Sequence, residues 1–340
     1  MTGQHTVAVL GGGSFGTVIG NIIAGNGHRV ALWLRNQQLA MRINATHENG
    51  DYLPGYRLAS GLTATSNLQE ALAGVDIVFV AVPSKSFRDV VRSVAELVPA
   101  DTMIVSLTKG IEPSGFRLMS EILREELPAN PLGVLSGPNL AREIAEGHVS
   151  ASVAASDNPD VTQTLHQVLH CNAFLVYASQ DMYGVELGGA LKNIYAILSG
   201  IGAALAFGEN TMGMLLTRAL AEMSRFAVEK GANPLTFLGL SGVGDLFVTC
   251  SSPLSRNYQL GMAVARGQPI EAVLAGMDQV AEGLNTLELV KREADRLHVP
   301  MPLVSGLYAI LYEQREVVDV FDSIVHREQA QDVEFVTRPL

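Results

Sequence analysis

Lys192 is the residue whose setting most strongly suggests chemistry. It lies in the stretch VELGGALKN, residues 185–193, where the spacing of apolar residues predicts a helix. Leucine and isoleucine fall on one face of that helix, while Lys192 shares the other face with glycine, alanine and serine. Because small side chains let a ligand or another backbone come close, the Lys192 ammonium group is a candidate proton donor. The alternative is a solvated surface lysine, which is the usual state of this residue type.

A glycine-rich loop near the start of the chain suggests a second kind of chemistry. Gly11, Gly13 and Gly16 fit the pattern G-x-G-x-x-G between a predicted strand, 6–10, and a predicted helix, 15–24. In this pattern the glycines allow a tight turn, close approach of backbone N–H groups to a pyrophosphate, and packing of helix on strand. The helix N-terminus then faces the anion. The loop therefore predicts dinucleotide binding, although methyltransferases use similar loops.

The residue after the second predicted strand, 29–34, bears on the choice of cofactor. Sites selective for NAD place an acidic residue there, about 20 residues beyond the glycines, to bind the ribose 2′-hydroxyl. Here Arg35 follows the strand, and the next acidic residue is Glu48. A guanidinium group suits the 2′-phosphate of NADP. We therefore expect NADP(H) to be preferred and NAD(H) to be accepted, the alternative being a solvated arginine.

Further predicted strands end in residues that could line a ligand site. Pro83, Lys109 and the stretch from Gly137 to Asn139 each follow such a strand. Ligands of parallel sheets bind at the carboxyl ends of the strands, so we expect these residues to line one crevice. Asn139 is also predicted to be the N-cap of a helix over 139–146.

The order of the elements predicts an α/β fold with two domains. Strands at 76–82, 102–107 and 132–135 alternate with helices at 86–97 and 115–127, which is typical of a parallel sheet covered on both faces. Two more strands, 149–155 and 174–177, extend its far edge, and only helical spacing follows Tyr183. We expect a Rossmann-type, doubly wound, mostly parallel sheet over residues 1–183. An all-α, substrate-binding domain should follow over residues 184–340.

Two turns interrupt the helices of the predicted second domain. The first carries Asp245 and Thr249, and Asp245 is either a functional carboxylate or a helix N-cap. The second carries Ser255, Arg256 and Asn257. A planar guanidinium beside an amide suits a phosphate, and the alternative is a solvated polar turn.

The overall composition excludes several classes of protein. The chain has 340 residues and a net charge of −11, with no basic cluster of the kind that nucleic-acid-binding proteins carry. Its longest uncharged run, 193–208, is too short to span a membrane, and its start shows no signal peptide. Cys171 and Cys250 form no disulfide framework, while His166 and His170 lack a third metal ligand. We expect a cytoplasmic protein that binds no metal.

Six motifs resemble, in order, those of the bacterial NAD(P)-dependent sn-glycerol-3-phosphate dehydrogenases: GGGSFG, SLTKG, SGPNLA, ELGGALKN, GVGDLFVTC and SPLSRN. The resemblance runs from about residue 6 to about residue 257, with weaker similarity through Val280 and Glu282. It implies a two-domain cytoplasmic enzyme that reduces dihydroxyacetone phosphate to sn-glycerol 3-phosphate for phospholipid synthesis.

The resemblance also implies roles for the matching residues. Lys192 is the expected proton acceptor in the oxidative direction, and Lys109 is expected to contact both cofactor and substrate. The catalytic set is Lys192, Lys109 and Asp245. The expected cofactor ligands are Gly11, Gly13, Ser14, Phe15, Gly16, Arg35, Lys109, Ala141, Arg256, Val280 and Glu282. The expected substrate ligands are Lys109, Gly137, Asn139, Lys192, Asp245, Thr249, Ser255, Arg256 and Asn257.

Three other functions fit parts of the sequence. A 2- or 3-hydroxyacid dehydrogenase of similar build would use Arg256 to bind a carboxylate. A nucleotide-sugar dehydrogenase needs a nucleophilic cysteine near the nicotinamide, whereas we interpret Cys250 as a small packed residue. A regulatory protein that binds NADPH without turnover needs no combination of Lys109, Lys192 and Asp245. For any of these, a homodimer is expected from its frequency among soluble oligomers.

Overall fold

The computed structural model describes residues 3–275 and 282–325, which belong to two compact units. The first unit comprises Met1–Glu112 and Arg117–Glu186. The second comprises Pro113–Phe116 and the chain from Leu187 onward. The domain limit at residues 183 and 184 stays a prediction, and the units divide between Glu186 and Leu187, inside a helix.

The first unit is built on an eight-stranded sheet. Its strands are β1 (Thr6–Leu10), β2 (Arg29–Trp33), β3 (Leu62–Thr65), β4 (Ile77–Val80), β5 (Met103–Ser106), β6 (Leu132–Ser136), β7 (Ser150–Ala155) and β8 (Phe174–Ser179). Their order across the sheet is β3-β2-β1-β4-β5-β6-β7-β8, and β6 with β7 is the antiparallel pair in an otherwise parallel sheet. The chain leaves β1 first toward β2 and later toward β4, which is the switch point where such sheets bind ligands.

The central strands are apolar along their whole length because both faces of the sheet are covered. Val7 and Val9 of β1 belong to one core cluster, while Ala8 and Leu10 belong to another. Alternate residues of a strand point to opposite faces, so the two clusters lie on opposite sides of the sheet. The predicted Rossmann-type sheet is thereby confirmed.

The helices that accompany these strands are α1 (Ser14–Gly25), α2 (Gln37–Thr46), α3 (Leu68–Ala71), α4 (Ser84–Ala95), α5 (Met119–Glu126), α6 (Ala141–Ala145) and α7 (Pro159–Leu169). Strand β3 and helices α2 and α3 were not predicted from the sequence. Strand β3 has four residues, too few to establish an alternating pattern. A capping signal for α2 was present, because the Asn36 side chain accepts a hydrogen bond from the Leu39 N–H.

Two sequence-based predictions of helix starts were wrong. The helix predicted from residue 115 begins at Met119, where the Glu121 carboxylate accepts a hydrogen bond from the Leu118 N–H. The helix predicted to begin at Asn139 begins at Ala141, and Leu140 is its N-cap. The side chain of Asn139 is instead directed to β7, where its Nδ2 donates to Ser152 Oγ at 2.9 Å. Asn139 is thus drawn away from the helix end by a partner from another element.

The regular secondary structure in the described part of the second unit is helical, which confirms the predicted all-α character. Helix α8 (Met182–Ala204) starts in the first unit and continues into the second. The others are α9 (Glu209–Glu229), α10 (Asp245–Ser251), α11 (Arg256–Ala265), α12 (Ile270–Ala275), α13 (Glu282–Leu297), α14 (Pro302–Tyr312) and α15 (Val317–Val325). A 3-10 helix, Pro234–Leu238, and a π-helical turn, Leu240–Gly244, lead into α10. Within residues 3–275 and 282–325, no helix is long and apolar enough to cross a membrane.

Small residues of α8 serve the close packing of helices. A Cβ atom on Gly200 would overlap the Tyr258 carbonyl oxygen of α11. A Cβ atom on Gly261 of α11 would overlap the Ile197 carbonyl oxygen of α8. The two helices therefore meet backbone against backbone, an approach that only glycine permits.

A buried carboxylate joins three helices of the second unit. Glu222 of α9 is 3% exposed and accepts hydrogen bonds from the N–H groups of Leu303, at 2.6 Å, and Val304, at 3.3 Å. These N–H groups open α14 and have no partner within that helix. The Tyr195 hydroxyl of α8 donates to the same carboxylate at 3.2 Å. Burial raises the pKa of Glu222 to about 7, although these hydrogen bonds act in the opposite direction.

Glu222 should make the stability of the protein depend on pH. Because its pKa is higher in the folded protein than the ordinary value of 4.5, the folded state binds this proton more tightly than the unfolded state does. The contribution of Glu222 to the free energy of unfolding should therefore fall between about pH 5 and about pH 8, by at most about 3 kcal/mol. In the Glu222→Gln variant, the free energy of unfolding measured by urea denaturation should lack this fall between about pH 5 and about pH 8.

Glu293 provides a matched control with the opposite shift. Hydrogen bonds from Arg296 and Lys230 lower the pKa of Glu293 to about 2, against the effect of its partial burial. Its contribution is complete above the ordinary pKa and is lost only as the pH falls toward 2, so Glu293→Gln should leave the dependence between about pH 5 and about pH 8 unchanged. Equal pH dependence in the wild type and in Glu222→Gln would contradict the assignment.

Candidate active site

The glycine loop of the first unit makes a tight turn between β1 and α1. Gly11 has a φ of +125°, and a Cβ atom there would overlap the Ala81 carbonyl oxygen. A Cβ atom on Gly16 would overlap the Gly11 carbonyl oxygen. The Gly11 N–H donates to the Trp33 carbonyl oxygen at 2.9 Å, which ties the turn to β2.

The same loop leaves a space of the kind that a pyrophosphate fills. A Cβ atom built on Gly13 meets no atom within 4 Å, and Gly13 is the N-cap of α1 without a side-chain cap. The N–H groups of Ser14, Phe15 and Gly16 follow in the first turn of α1, where the helix carries a partial positive charge. These features fit the pyrophosphate of a dinucleotide cofactor.

Arg35 lies at the carboxyl end of β2, between that strand and α2. Its side chain is exposed, and no residue in the described part of the chain forms a hydrogen bond or ion pair with its guanidinium. The neighbouring Asn36 is the N-cap of α2. The position of Arg35 is compatible with binding a phosphate on the adenosine ribose, and its role stays a prediction.

Asn49, which is fully buried against the glycine loop, was not predicted from the sequence as a site residue. Its Nδ2 donates to the Gly12 carbonyl oxygen at 2.9 Å and to Thr17 Oγ1 at 2.8 Å. Asn49 lies outside every helix and strand, so no periodic pattern marks it. The run of turn-forming residues around it was the available signal.

Lys109 and Gly137 come together at the carboxyl ends of the neighbouring strands β5 and β6. Lys109 Nζ donates to the Gly137 carbonyl oxygen at 2.7 Å. Pro83 follows β4, the next strand in the sheet, and Ala141 begins α6 just beyond Asn139. These predicted site residues therefore follow adjacent strand ends, and their contacts with ligands stay predictions.

Lys192, Asp245 and Thr249 form a buried cluster in the second unit. Lys192 on α8 is 7% exposed, and its Nζ donates to the Asp245 carboxylate and, at 2.7 Å, to Thr249 Oγ1. Asp245 is 1% exposed and is the first residue of α10, with Gly244 as the N-cap. Thr249 Oγ1 donates in turn to the Asp245 carbonyl oxygen at 2.6 Å. Lys192 is thus no solvated surface lysine, and Asp245 is no N-cap.

Ser255, Arg256 and Asn257 open α11 rather than forming a polar turn. Ser255 is the N-cap, and its side chain accepts a hydrogen bond from the Tyr258 N–H at 3.3 Å. Asn257 is buried and its Nδ2 donates to Asn193 Oδ1 at 3.0 Å, beside Lys192 in the chain. The cluster around Lys192 and the start of α11 are therefore linked through α8.

Arg256 lies close enough to Glu282 for their charges to interact. Partial desolvation lowers the pKa of Arg256, whereas the Glu282 carboxylate raises it. The guanidinium of Arg256 stays charged near neutral pH despite this desolvation. Glu282 is the first residue of α13, and Val280 lies outside the described residues.

Neither cysteine nor histidine chemistry adds to this site. Cys250 is 2% exposed, and burial raises the pKa of its thiol to about 12, so the reactive thiolate is scarce near neutral pH. His166 and His170 stack with their ring centroids 4.4 Å apart, and His170 Nδ1 accepts a hydrogen bond from the Val176 N–H. Among the residues that the structure describes, no group of three or more His, Cys, Asp or Glu side chains could hold a metal ion.

Comparison with known protein families gives two matches that together cover most of the chain. Residues 6–162 match the N-terminal part of NAD-dependent glycerol-3-phosphate dehydrogenase. Residues 181–322 match its C-terminal part.

Similar proteins and structures agree with these matches. A protein of Pseudomonas putida strain F1, named glycerol-3-phosphate dehydrogenase [NAD(P)+], is 53% identical over 339 residues, which are 99% of this chain and 98% of the relative. A protein of the same name from Pseudomonas fluorescens strain Pf0-1 is 52% identical over 337 residues, which are 99% of this chain and 95% of the relative. The crystal structure of glycerol-3-phosphate dehydrogenase from Coxiella burnetii has a TM-score of 0.91 and 35% identity, covering 95% of this chain and 99% of that one. The chain therefore belongs to the NAD-dependent glycerol-3-phosphate dehydrogenase family.

Proposed function

We propose that this oxidoreductase reduces dihydroxyacetone phosphate to sn-glycerol 3-phosphate, reversibly, with NADPH or NADH. The product would supply phospholipid synthesis in the cytoplasm. The observation that carries the proposal is the buried cluster of Lys192, Asp245 and Thr249 in a chain whose glycine loop fits a dinucleotide. Bound nicotinamide supplies or accepts the hydride at the carbon that bears the reacting oxygen.

Lys192 is the proposed proton donor to the carbonyl oxygen of the substrate. Two N–H groups of its ammonium are directed to Asp245 and Thr249, and within the described residues no acceptor takes the third. That N–H can donate to the oxygen on which negative charge grows as the carbonyl is reduced. The proton then passes to this oxygen, and in the reverse direction the Lys192 amine takes it back.

Asp245 and Thr249 are proposed to hold the Lys192 ammonium in one orientation. The Asp245 carboxylate accepts one hydrogen bond from the ammonium, and Thr249 Oγ1 accepts the second while donating its own proton to the Asp245 carbonyl oxygen. The amine therefore needs no reorganisation before the proton moves, which is the main source of electrostatic catalysis in enzymes.

The substrate phosphate is proposed to bind at the start of α11. Arg256 supplies a planar set of donors for a dianion, and one N–H of the Asn257 amide remains beyond the bond to Asn193. Ser255 shapes this helix start as its N-cap. Lys109, Gly137 and Asn139 are also proposed as substrate ligands.

The proposed cofactor ligands keep the roles that the resemblance implies. Gly11, Gly13, Ser14, Phe15 and Gly16 would hold the pyrophosphate, and Arg35 the 2′-phosphate that makes NADP(H) the preferred cofactor. Lys109, Ala141, Arg256, Val280 and Glu282 would complete the contacts. We propose a homodimer as the working form, to be checked by the molar mass in solution.

Replacement of Lys192 should separate catalysis from cofactor binding. Lys192→Met should lower kcat about 10²- to 10⁴-fold, because a positioned acid typically contributes that factor, while the Kd for NADPH stays near wild type. Asp245 would remain buried without its partner, so the double variant Lys192→Met/Asp245→Asn removes both charges. Lys230→Met, which breaks the ion pair with Glu293, is the control and should keep wild-type kcat. Wild-type kcat in Lys192→Met would refute the assignment, and loss of NADPH affinity in that variant would indicate a structural lysine.

Replacement of Arg35 should change the choice of cofactor. Arg35→Asp should weaken NADPH binding at least about tenfold relative to NADH, because an Arg–phosphate interaction is replaced by repulsion. Arg42→Asp makes the same charge change at an exposed position of α2 that pairs with Asp51, and its NADPH/NADH ratio of kcat/KM should be unchanged. An unaltered ratio in Arg35→Asp would remove this residue from the cofactor site.

Two measurements discriminate against the other dehydrogenase classes. NADPH oxidation should be fast with dihydroxyacetone phosphate and undetectable with short keto acids, because the latter lack the phosphate that Arg256 is proposed to bind. Cys250→Ala should keep kcat within about twofold, since a thiol whose pKa is about 12 is no nucleophile near neutral pH. Loss of turnover in a folded Cys250→Ala protein would favour the nucleotide-sugar class.

A further inference from the structure

We propose that Asn49 is a positioning residue for the cofactor pyrophosphate: its side-chain amide fixes the direction in which the glycine loop presents a backbone N–H to the anion. The proposal rests on the proposed use of NADP(H) or NAD(H) and adds a residue outside the glycine motif to that site.

The contacts of Asn49 reach both the loop and the helix that follows it. Its Nδ2 donates to the Gly12 carbonyl oxygen at 2.9 Å and to Thr17 Oγ1 at 2.8 Å. Asn49 and Thr17 are both 0% exposed, so water does not compete for these hydrogen bonds. One amide therefore holds the loop and the first turns of α1 as a single piece.

The need for hydrogen-bond donors determines the residue type at this position. The Gly12 carbonyl can only accept, so the NH₂ group of the amide must face it. Asn49 Oδ1 is buried and has no hydrogen-bond partner among the residues that the structure describes. Burying an unpaired acceptor costs free energy of folding. The two hydrogen bonds that Nδ2 donates offset this cost.

Anchoring the Gly12 carbonyl also fixes the N–H of Gly13. The two groups belong to one planar trans peptide and therefore point in opposite directions. Because the Gly12 oxygen is directed to Asn49, the Gly13 N–H is directed away from it. Apart from residues 12–14 themselves, no atom in the described part of the chain comes within 4 Å of a Cβ position on Gly13, so this part of the loop is open for an anion.

The segment that carries Asn49 is itself held against the loop. Ser14 Oγ, in the first turn of α1, donates to the Tyr52 carbonyl oxygen at 2.7 Å. The Leu53 N–H donates to the Asn49 carbonyl oxygen at 2.8 Å, which closes a turn over these residues. These two hydrogen bonds hold the segment from Asn49 to Leu53 in place next to the glycine loop.

The test compares two asparagine variants of the full-length protein. Asn49→Leu removes both donors and keeps the number and branching of the side-chain heavy atoms. Asn44→Leu is the control for the loss of two amide hydrogen bonds, because the more exposed Asn44 amide bonds the N–H and carbonyl oxygen of Ala64 in β3, away from the glycine loop. The Kd for NADPH, from fluorescence titration without substrate, should rise roughly 10- to 30-fold in Asn49→Leu and less than about twofold in Asn44→Leu.

Two further readouts distinguish positioning from a general loss of structure. Adenosine 2′-phosphate lacks the pyrophosphate, so its Kd should change less than about twofold in Asn49→Leu. With saturating NADPH, kcat should stay within about twofold of wild type, so that the effect falls on the KM for NADPH. Equal weakening of NADPH and adenosine 2′-phosphate, or equal effects in both asparagine variants, would overturn the proposal.

A milder variant covers the case in which Asn49→Leu fails to fold. Thr17→Val keeps the shape of the side chain and removes one acceptor of the amide, so it should raise the Kd for NADPH about three- to fivefold without changing that for adenosine 2′-phosphate. An unchanged Kd for NADPH would count against the proposal. Wild-type protein that binds neither NADPH nor NADH would instead refute the proposed function.

Discussion

The buried ion pair between Lys192 and Asp245 is the interaction on which the arrangement of the second unit depends. Each charge would be costly to bury without the other, so α8 and α10 must keep these two side chains in contact. Glycine makes that contact geometrically possible. A Cβ atom on Gly188, one turn before Lys192, would overlap the Ser241 carbonyl oxygen in the π-helical turn that leads into α10. Gly188 of the ELGGALKN motif is therefore required because the backbone leading to Asp245 approaches α8 at that point.

The glycine loop of the first unit presents backbone groups, and no charged side chain of its own, to the proposed cofactor pyrophosphate. The loop offers the N–H groups of a helix N-terminus, whose direction depends on the conformation of a few peptides. Such a site is only as well ordered as the groups that hold those peptides. The Trp33 carbonyl oxygen, which accepts from the Gly11 N–H, and the Asn49 amide provide that support from outside the motif. Residues distant in sequence thereby determine how well the motif can work.

Much of the fold could be predicted because burial on both faces leaves a clear pattern in the sequence. The apolar strands β1, β4 and β5 and the long helix α8 follow directly from such patterns. The short edge strand β3 and the start of α6 could not be predicted, because four residues give little periodicity and the partner of Asn139 comes from β7. The same limit applies to the site. The motif that contains Lys192 was visible, whereas Asn49 acts through tertiary contacts that no local spacing encodes.

The pairing of Lys192 with Asp245 implies that different cations of the second unit serve substrate affinity and proton transfer. A lysine whose charge is balanced by an adjacent carboxylate contributes little net attraction for a distant anion, although it can still donate a hydrogen bond and a proton. In a chain with a net charge of −11, attraction of a phosphate dianion must therefore come from another cation. Arg256 also has an acidic neighbour, Glu282, but arginine stays charged and offers several donors in one plane. We infer that Arg256 contributes mainly to substrate affinity and Lys192 mainly to the chemical step.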